Sequence, residues 1–138
     1  MRYAYEEDLP AIRAALLRMK QRTKSPHLKD ADIEIAMEAV KGFIKQNLIV
    51  IQGRYLVIYA VGIPWYGKTR TLIEKLVLRL PYEDDGTIDQ VPQMLKDLAR
   101  FNDCTAILVS DGQSMTYMRR VYEKAGFLPV GVQLYMEC

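Results

Sequence analysis

Two residues stand out because their side chains could exchange protons and their spacing directs them toward the interior. The run from Thr69 to Leu80 alternates as a strand does, and it places Glu74 on a leucine-rich face together with Leu72, Leu76, Leu78 and Leu80. A carboxylate on such a face is a candidate proton acceptor because burial disfavours its charged form. Tyr122 belongs to a later stripe with helical spacing, made of Met115, Met118, Tyr122 and Ala125, which directs its ring inward.

Each of these residues also has a purely structural interpretation. Glu74 can be a partly exposed carboxylate that pairs with a nearby lysine. Tyr122 can pack beneath the sheet while its hydroxyl binds a backbone group. Residue type and spacing do not decide between the two interpretations.

Other catalytic chemistries find little support in the composition. The chain has a single histidine, His27, in the loop-like segment Ser25-Pro26-His27, and two cysteines, Cys104 and Cys138. These residues form no CxxC, HExxH or Cys/His cluster with metal-ligand spacing, so we predict no metal site. A Ser-His-Asp or Cys-His centre would have to use His27, for which a solvated loop position is the favoured interpretation.

Length and charge indicate one domain that spans residues 1–138. Half of the residues are hydrophobic and 26% are charged, which suffices for a core and for solubility. No apolar run is long enough to span a bilayer, so we predict a cytoplasmic protein without a membrane partner. The net charge of +2 gives no strong nucleic-acid signal, although a basic stretch runs from Arg13 to Lys29 without an acid.

The order of elements predicted from periodicity is β-α-α-β-β-β-α-β-α-β. Residues 1–5 alternate as a first strand, and Asp8 can cap the helix that follows. A tight turn at Gly53-Arg54 joins two strands, which predicts a hairpin. Gly126 is expected to end the last helix, and a final strand or pair of strands is predicted over Leu128 to Met136.

This order resembles that of the GNAT family of N-acetyltransferases over nearly the whole chain. The resemblance rests on the junction Val121-Tyr122-Glu123-Lys124-Ala125-Gly126-Phe127 and on the opening segment 2–19 with Glu7-Asp8-Leu9. A diffuse pattern that includes Trp65-Tyr66 and Leu76 to Leu80 is similar to short family members encoded by tailed bacteriophages. The resemblance implies an α/β GNAT fold, with a mixed, mostly antiparallel sheet of six to seven strands and about four flanking helices.

The resemblance also implies an activity, a cosubstrate and site residues. Family members transfer an acetyl group directly from acetyl-CoA to an amine, here an unidentified small-molecule or protein amine. The pantetheine arm would pair with the main chain of Leu78, Arg79 and Leu80. Tyr122 matches the position that supplies a general acid to the departing thiolate, and Glu74 lies on the strand where some members place a general base. Trp65 and Tyr66 could line the acceptor pocket.

The segment expected to hold the diphosphate of CoA departs from the family pattern. With Pro81 as the start of the loop, the family's basic position falls on Asp84 and its two glycine positions fall on Thr87 and Asp89, so Gly86 is the glycine that remains. Four acids surround the expected diphosphate position, namely Glu83, Asp84, Asp85 and Asp89, and Asp89 could cap the helix with its own carboxylate. An asparagine that often helps to hold pantetheine corresponds to Ser114 or Met115.

A second functional hypothesis follows from this acidic loop. The chain could be a GNAT-fold phage protein without transferase activity, in the host cytoplasm or the virion, that associates with virion or host proteins. The two hypotheses make opposite predictions about acetyl-CoA, because only the transferase needs to bind it.

Overall fold

A mixed sheet forms the centre of the protein, whose computed structural model describes residues 1–109, 116–131 and 134–138. Within these residues the sheet has five strands: β1 (Arg2–Tyr3), β2 (Ile49–Gln52), β3 (Tyr55–Gly62), β4 (Thr71–Arg79) and β5 (Ala106–Leu108). They lie in the order β1-β2-β3-β4-β5, with antiparallel pairing from β1 to β4 and a parallel pair between β4 and β5. The mixed, mostly antiparallel sheet is therefore confirmed.

The strand count is lower than the six to seven that were predicted. In the described part of the segment Leu128 to Met136, no residue belongs to a strand. Its apolar side chains are exposed, with Leu128 at 82% and Leu134 at 92%. Pro129 has no N–H to donate to a ladder, and Gly131 has no side chain to pack, so both weaken the alternation that predicted a strand.

Helices cover both faces of the sheet. Their bounds are α1 (Leu9–Arg22), α2 (Pro26–Lys29), α3 (Ile33–Lys45), α4 (Val91–Phe101) and α5 (Thr116–Lys124). One core lies beneath α1 and α3, where the predicted helical stripes bury Ile12, Leu16, Met37 and Val40. A second core lies beneath α4 and α5. Across the described residues, no helix combines the length and apolarity that a membrane crossing needs.

The end of α5 confirms the predicted role of Gly126. Its φ is +101°, a left-handed conformation that glycine adopts without a Cβ penalty. The N–H of Phe127 donates to the carbonyl of Tyr122 at 3.0 Å, which turns the chain back against the helix. The ring of Phe127 then lies 5.2 Å from the ring of Tyr122 and covers it.

A β-bulge in β4 changes the predicted position of Glu74. Ile58 of β3 pairs with Leu76 and the next residue, Tyr59, pairs with Glu74, so Lys75 is an extra residue that opposes none on β3. This insertion reverses the alternation of side chains. Glu74 therefore faces the core beneath α4 and α5, and the predicted face shared with Leu76, Leu78 and Leu80 is wrong.

A network around Asp8 ties the start of the chain to the loop that follows β4. The guanidinium of Arg2 donates two hydrogen bonds to the buried Asp8 carboxylate, at 2.8 and 2.9 Å. The hydroxyl of Tyr82 donates a third at 2.6 Å, and the Tyr5 N–H donates a fourth at 3.0 Å. The carboxylate thus binds tertiary partners and makes no side-chain cap to α1, contrary to the prediction.

We expect Asp8→Asn to lower the free energy of unfolding by about 2 kcal/mol at pH 7. The Arg2 hydrogen bond, opposed by burial and reinforced by those from Tyr82 and Tyr5, lowers the pKa of Asp8 from 3.8 to about 2. A depressed carboxyl pKa adds stability above the unfolded value of 3.8, and this stability disappears as the pH falls through 2.

Urea unfolding at pH 7 and near pH 2 measures the effect of Asp8→Asn. The difference from the wild type should be clear at pH 7 and absent near pH 2. Asp97→Asn is the control, because Asp97 is partly exposed and its ion pair with Arg100 is 3.6 Å long. If the difference in the free energy of unfolding between the wild type and Asp8→Asn is unchanged near pH 2, the effect comes from packing and not from the ionisation of Asp8.

Candidate functional site

On its outer side, β4 pairs with a described strand over only part of its length. β3 pairs with the whole of β4, whereas β5 pairs only with Thr71, Leu72 and Ile73. Beyond Ile73, no described strand pairs with the outer side of β4, and we call this stretch the open edge. An extended ligand can add to the edge of a sheet as a strand does.

The direction of each peptide group determines which residues of β4 turn their main-chain N–H and C=O groups toward the open edge. The N–H of Leu80 donates to the carbonyl of Arg54 at 2.6 Å, so Leu80 turns its main chain toward β3. Peptide groups alternate along a strand, which turns Leu78 toward β3 and Arg79 toward the open edge. Of the three residues predicted to pair with a pantetheine arm, Arg79 is thus the one whose main chain faces the open edge.

The bulge and the inward stripe of α5 bring the two predicted proton-transfer residues into one region. Glu74 is 6% exposed and Tyr122 is 3% exposed, and both face the core beneath α4 and α5. The charge of Glu74 acts directly on the Tyr122 hydroxyl. A carboxylate and a phenol therefore lie in one region, next to the last described pair between β4 and β5, Ile73 and Leu108.

The Tyr122 hydroxyl is buried and has no hydrogen-bond partner among the described residues. Burial, and then the charge of Glu74, raise the pKa of Tyr122 far above its ordinary value of 10. The hydroxyl therefore keeps its proton at every physiological pH. Buried polar groups are nearly always satisfied in proteins, and the exceptions cluster at sites that receive a ligand or carry out a reaction.

In the loop after β4, the Asp84 carboxylate lies against Gly53 and Gly86. The Asp84 carboxylate accepts the N–H of Gly86 at 2.7 Å, and Arg54 donates to the Gly86 carbonyl at 2.8 and 3.0 Å. Both backbone groups of Gly86 are therefore already engaged. Space is equally limited, because a Cβ added to either Gly53 or Gly86 would collide with the Asp84 carboxylate.

These contacts test how well the site fits a CoA thioester. The open edge and the unpartnered Tyr122 hydroxyl fit the pantetheine arm and the thioester sulfur. The loop does not fit a diphosphate, because the amide of Gly86 is occupied and the nearest side chain carries the wrong charge. Asp89 makes no side-chain cap in the 3₁₀ turn Ile88–Gln90, so the predicted cap at this residue is absent and its carboxylate adds to the negative field.

Other predicted residues lie away from this region or outside the described residues. Ser114 and Met115 lie outside the described residues. Trp65 is 94% exposed and Tyr66 is 75% exposed, and they pack edge to face against each other at 5.5 Å. His27 is exposed, as predicted, and its Nδ1 lies 2.7 Å from the Ser25 hydroxyl, but it belongs to the short helix α2 and not to a loop.

Sequence reasoning missed Arg54 and Tyr82. Arg54 was assigned only to a turn, yet its guanidinium reaches 32 positions along the chain to Gly86. Tyr82 binds a carboxylate 74 positions away. A basic residue in a hairpin turn and a tyrosine after a proline carry no sequence signal for such contacts, which depend on the packing of the whole sheet.

Comparisons with known proteins establish the fold. No protein-family model matches this sequence, and no curated protein matches it. Solved structures do match over almost the whole chain. The GNAT fold of this chain is shared by a transcriptional regulator from Bacillus halodurans, an aminoglycoside antibiotic 6′-N-acetyltransferase from Acinetobacter haemolyticus, and a predicted acetyltransferase with acetyl-CoA from Clostridium acetobutylicum.

The three matches are close in shape and distant in sequence. The Bacillus protein has a TM-score of 0.66 at 18% identity, covering 99% of this chain and 97% of that one. The Acinetobacter enzyme has a TM-score of 0.65 at 9% identity, with coverages of 99% and 96%. The Clostridium protein has a TM-score of 0.62 at 15% identity, with coverages of 99% and 94%. Function must therefore be argued from the site.

Proposed function

We propose that this chain is a GNAT N-acyltransferase that moves an acetyl group from acetyl-CoA to an amine. One observation carries the proposal: the Tyr122 hydroxyl is buried, protonated and without a partner among the described residues, beside a buried carboxylate at the open edge of β4. A proton donor and a proton acceptor so placed are what direct acyl transfer needs.

The amine nitrogen attacks the thioester carbonyl carbon, so a C–N bond forms, the C–S bond breaks and its electron pair leaves on sulfur. Glu74 accepts the amine proton, and Tyr122 donates its proton to sulfur. The products are an amide and a thiol, and solvent returns the proton from Glu74 to Tyr122.

The raised pKa of Tyr122 suits an acid that acts late in the reaction. Burial and the charge of Glu74 keep the hydroxyl protonated while sulfur is still bonded to carbon. As negative charge develops on sulfur, the same poorly solvated surroundings favour transfer of the proton to it. The neighbouring Glu74 supports both halves of the exchange, since it gains a proton as Tyr122 loses one.

A calorimetric titration with acetyl-CoA at low salt tests this proposal. Titrating Asp84→Asn as well tests whether the Asp84 charge weakens binding. Asparagine keeps an oxygen for the Gly86 N–H and removes the charge, so we expect affinity to rise by roughly tenfold, or about 1.4 kcal/mol. Asp103→Asn is the control, because Asp103 is exposed just after the opposite end of α4. Absence of binding to both the wild type and Asp84→Asn would refute the transferase.

The filled loop favours a second candidate function. If Asp84 blocks acetyl-CoA altogether, the chain is a phage-encoded GNAT-fold protein that binds virion or host proteins in the cytoplasm or the virion. The exposed apolar side chains of Leu128, Val130, Leu134 and Met136 support such an association. The same titration decides, because this function needs no acetyl-CoA binding in either variant.

A further inference from the structure

The connection between β3 and β4 presents two aromatic side chains that the proposed function does not use. The N–H of Gly67 donates to the carbonyl of Pro64 at 3.1 Å, which closes a β-turn with Trp65 and Tyr66 at its two central positions. The two rings pack edge to face at 5.5 Å and are 94% and 75% exposed. Trp65 therefore keeps almost its whole ring in solvent, although tryptophan is among the largest apolar side chains.

Two cationic side chains follow the aromatic pair along the same connection. Lys68 and Arg70 are exposed, and neither forms an ion pair with a described carboxylate. Lys68 lies two positions after Tyr66, so their α-carbons are at most about 7 Å apart. The sequence has no acid between Glu38 and Glu74, so β3 and the connection that follows it carry no negative side chain.

Contacts with the segment after α4 hold Arg70 in place. Its Nε–H donates to the carbonyl of Asn102 at 2.8 Å, and its own carbonyl accepts the N–H of Thr105 at 3.0 Å. Asp103 follows Asn102 along the chain but forms no ion pair with Arg70. The terminal nitrogens of Arg70 donate to no described group, so they are available to a ligand.

Exposed rings with cations beside them match the chemistry of single-stranded nucleic acid. Each unpaired base offers a flat face that stacks on an aromatic ring, and each phosphate offers a negative charge to a nearby cation. The basic stretch from Arg13 to Lys29 lacks this pattern, because it contains no Phe, Tyr or Trp. A lipid surface fits less well, since stable binding to it needs a broad apolar face or a second anchor, and a single turn offers neither.

We propose that this connection binds single-stranded nucleic acid, with Trp65 and Tyr66 stacking on bases and Lys68 and Arg70 contacting phosphates. The inference is independent of the transferase function, because none of these four residues takes part in the proposed proton transfers. Base faces and phosphates are common to DNA and RNA, so we expect both to bind.

Trp65 is the only tryptophan of the chain, so its fluorescence reports directly on the proposed site. The probes are oligo-dT and oligo-U of about ten nucleotides, added at low salt. Stacking of a base on Trp65 should quench its emission, and the quenching should saturate. The logarithm of the affinity should fall with the logarithm of the salt concentration, with a slope of about −1.4 for two phosphate contacts on a single strand.

Lys68→Gln and Arg70→Gln should each reduce the size of this slope by about 0.7, and Tyr66→Leu should weaken binding by about tenfold. Lys29→Gln and Tyr117→Leu are the controls, because they change an exposed cation on α2 and an exposed ring on α5. Absence of quenching at low salt, or quenching that the variants of the connection leave unchanged, overturns the inference. A response to Lys29→Gln alone overturns it in favour of the basic stretch.

Vesicles of phosphatidylcholine and phosphatidylserine test a lipid surface as the other occupant. Insertion of Trp65 into lipid would move its emission maximum to a shorter wavelength. We expect an unchanged maximum with vesicles and quenching with both oligonucleotides. A shift with vesicles, together with no response to either oligonucleotide, would overturn the inference in favour of the lipid surface.

Discussion

Replacing Tyr122 by phenylalanine is expected to lower kcat by about 10²- to 10³-fold while the protein becomes more stable. The activity falls because the departing sulfur loses its proton donor. The stability rises because the Tyr122 hydroxyl is 3% exposed and unpartnered among the described residues. A buried unsatisfied hydroxyl costs about 1 to 3 kcal/mol, so its removal should increase the free energy of unfolding by about 1 kcal/mol.

Tyr59→Phe is the matched control for Tyr122→Phe. Tyr59 faces the same core and is 2% exposed, but its hydroxyl donates to the carbonyl of Asn47 at 3.0 Å. Its removal should therefore destabilise the protein by about 1 kcal/mol. Urea unfolding and steady-state kinetics on both variants give the comparison. If Tyr122→Phe is destabilised as Tyr59→Phe is and keeps full activity, the hydroxyl has only a packing role.

The local pattern of the sequence was enough to predict most of the fold. Ile12 and Leu16 follow helical spacing and are buried, because one face of a helix against a sheet must be apolar. The turn at Gly53 is equally local, since its φ of +58° suits a glycine. In the described part of its segment the final predicted strand is absent, since alternation describes side chains only, and pairing also needs N–H groups and a neighbouring strand.

The site was predicted in its residues but not in its geometry. The sequence indicated Glu74 and Tyr122 as separate candidates and both are buried, yet simple alternation put Glu74 on the opposite face of the sheet. The extra residue, Lys75, has no signal of its own, because a bulge depends on the register with β3. The negative charge of the loop could be predicted from its composition. The hydrogen bond from the Gly86 N–H to the Asp84 carboxylate could not.

The bulge has a functional consequence that alternation alone would not produce. In a regular strand, Glu74 would face α1 and α3 with the leucines, and the sheet would separate it from Tyr122. The insertion at Lys75 places the carboxylate on the side of α5, and the Lys75 ammonium remains on the other side, 5.6 Å from the ring of Phe43. One inserted residue therefore brings Glu74 to the side of the sheet on which Tyr122 lies.

Glu74→Gln is expected to lower kcat/KM for the amine by about 10²-fold near pH 7, with acetyl-CoA affinity unchanged. Glutamine keeps the size of the side chain and one acceptor oxygen, and it does not act as a base. Glu74 pairs across the sheet with Tyr59, so a smaller residue would disturb the core as well. The isosteric change therefore keeps the packing and removes the charge.

The pH dependence of Glu74→Gln separates a base from a positioning group. Near neutral pH an alkylamine carries an extra proton, which must be removed before or during attack. As the pH approaches the pKa of the amine, more of it arrives neutral, and the need for a base decreases. The gap in kcat/KM between the wild type and Glu74→Gln should therefore narrow as the pH rises. A constant gap from pH 7 to pH 10 would mean that Glu74 only positions its neighbours, and the proton would then have to leave through another group at the open edge of β4.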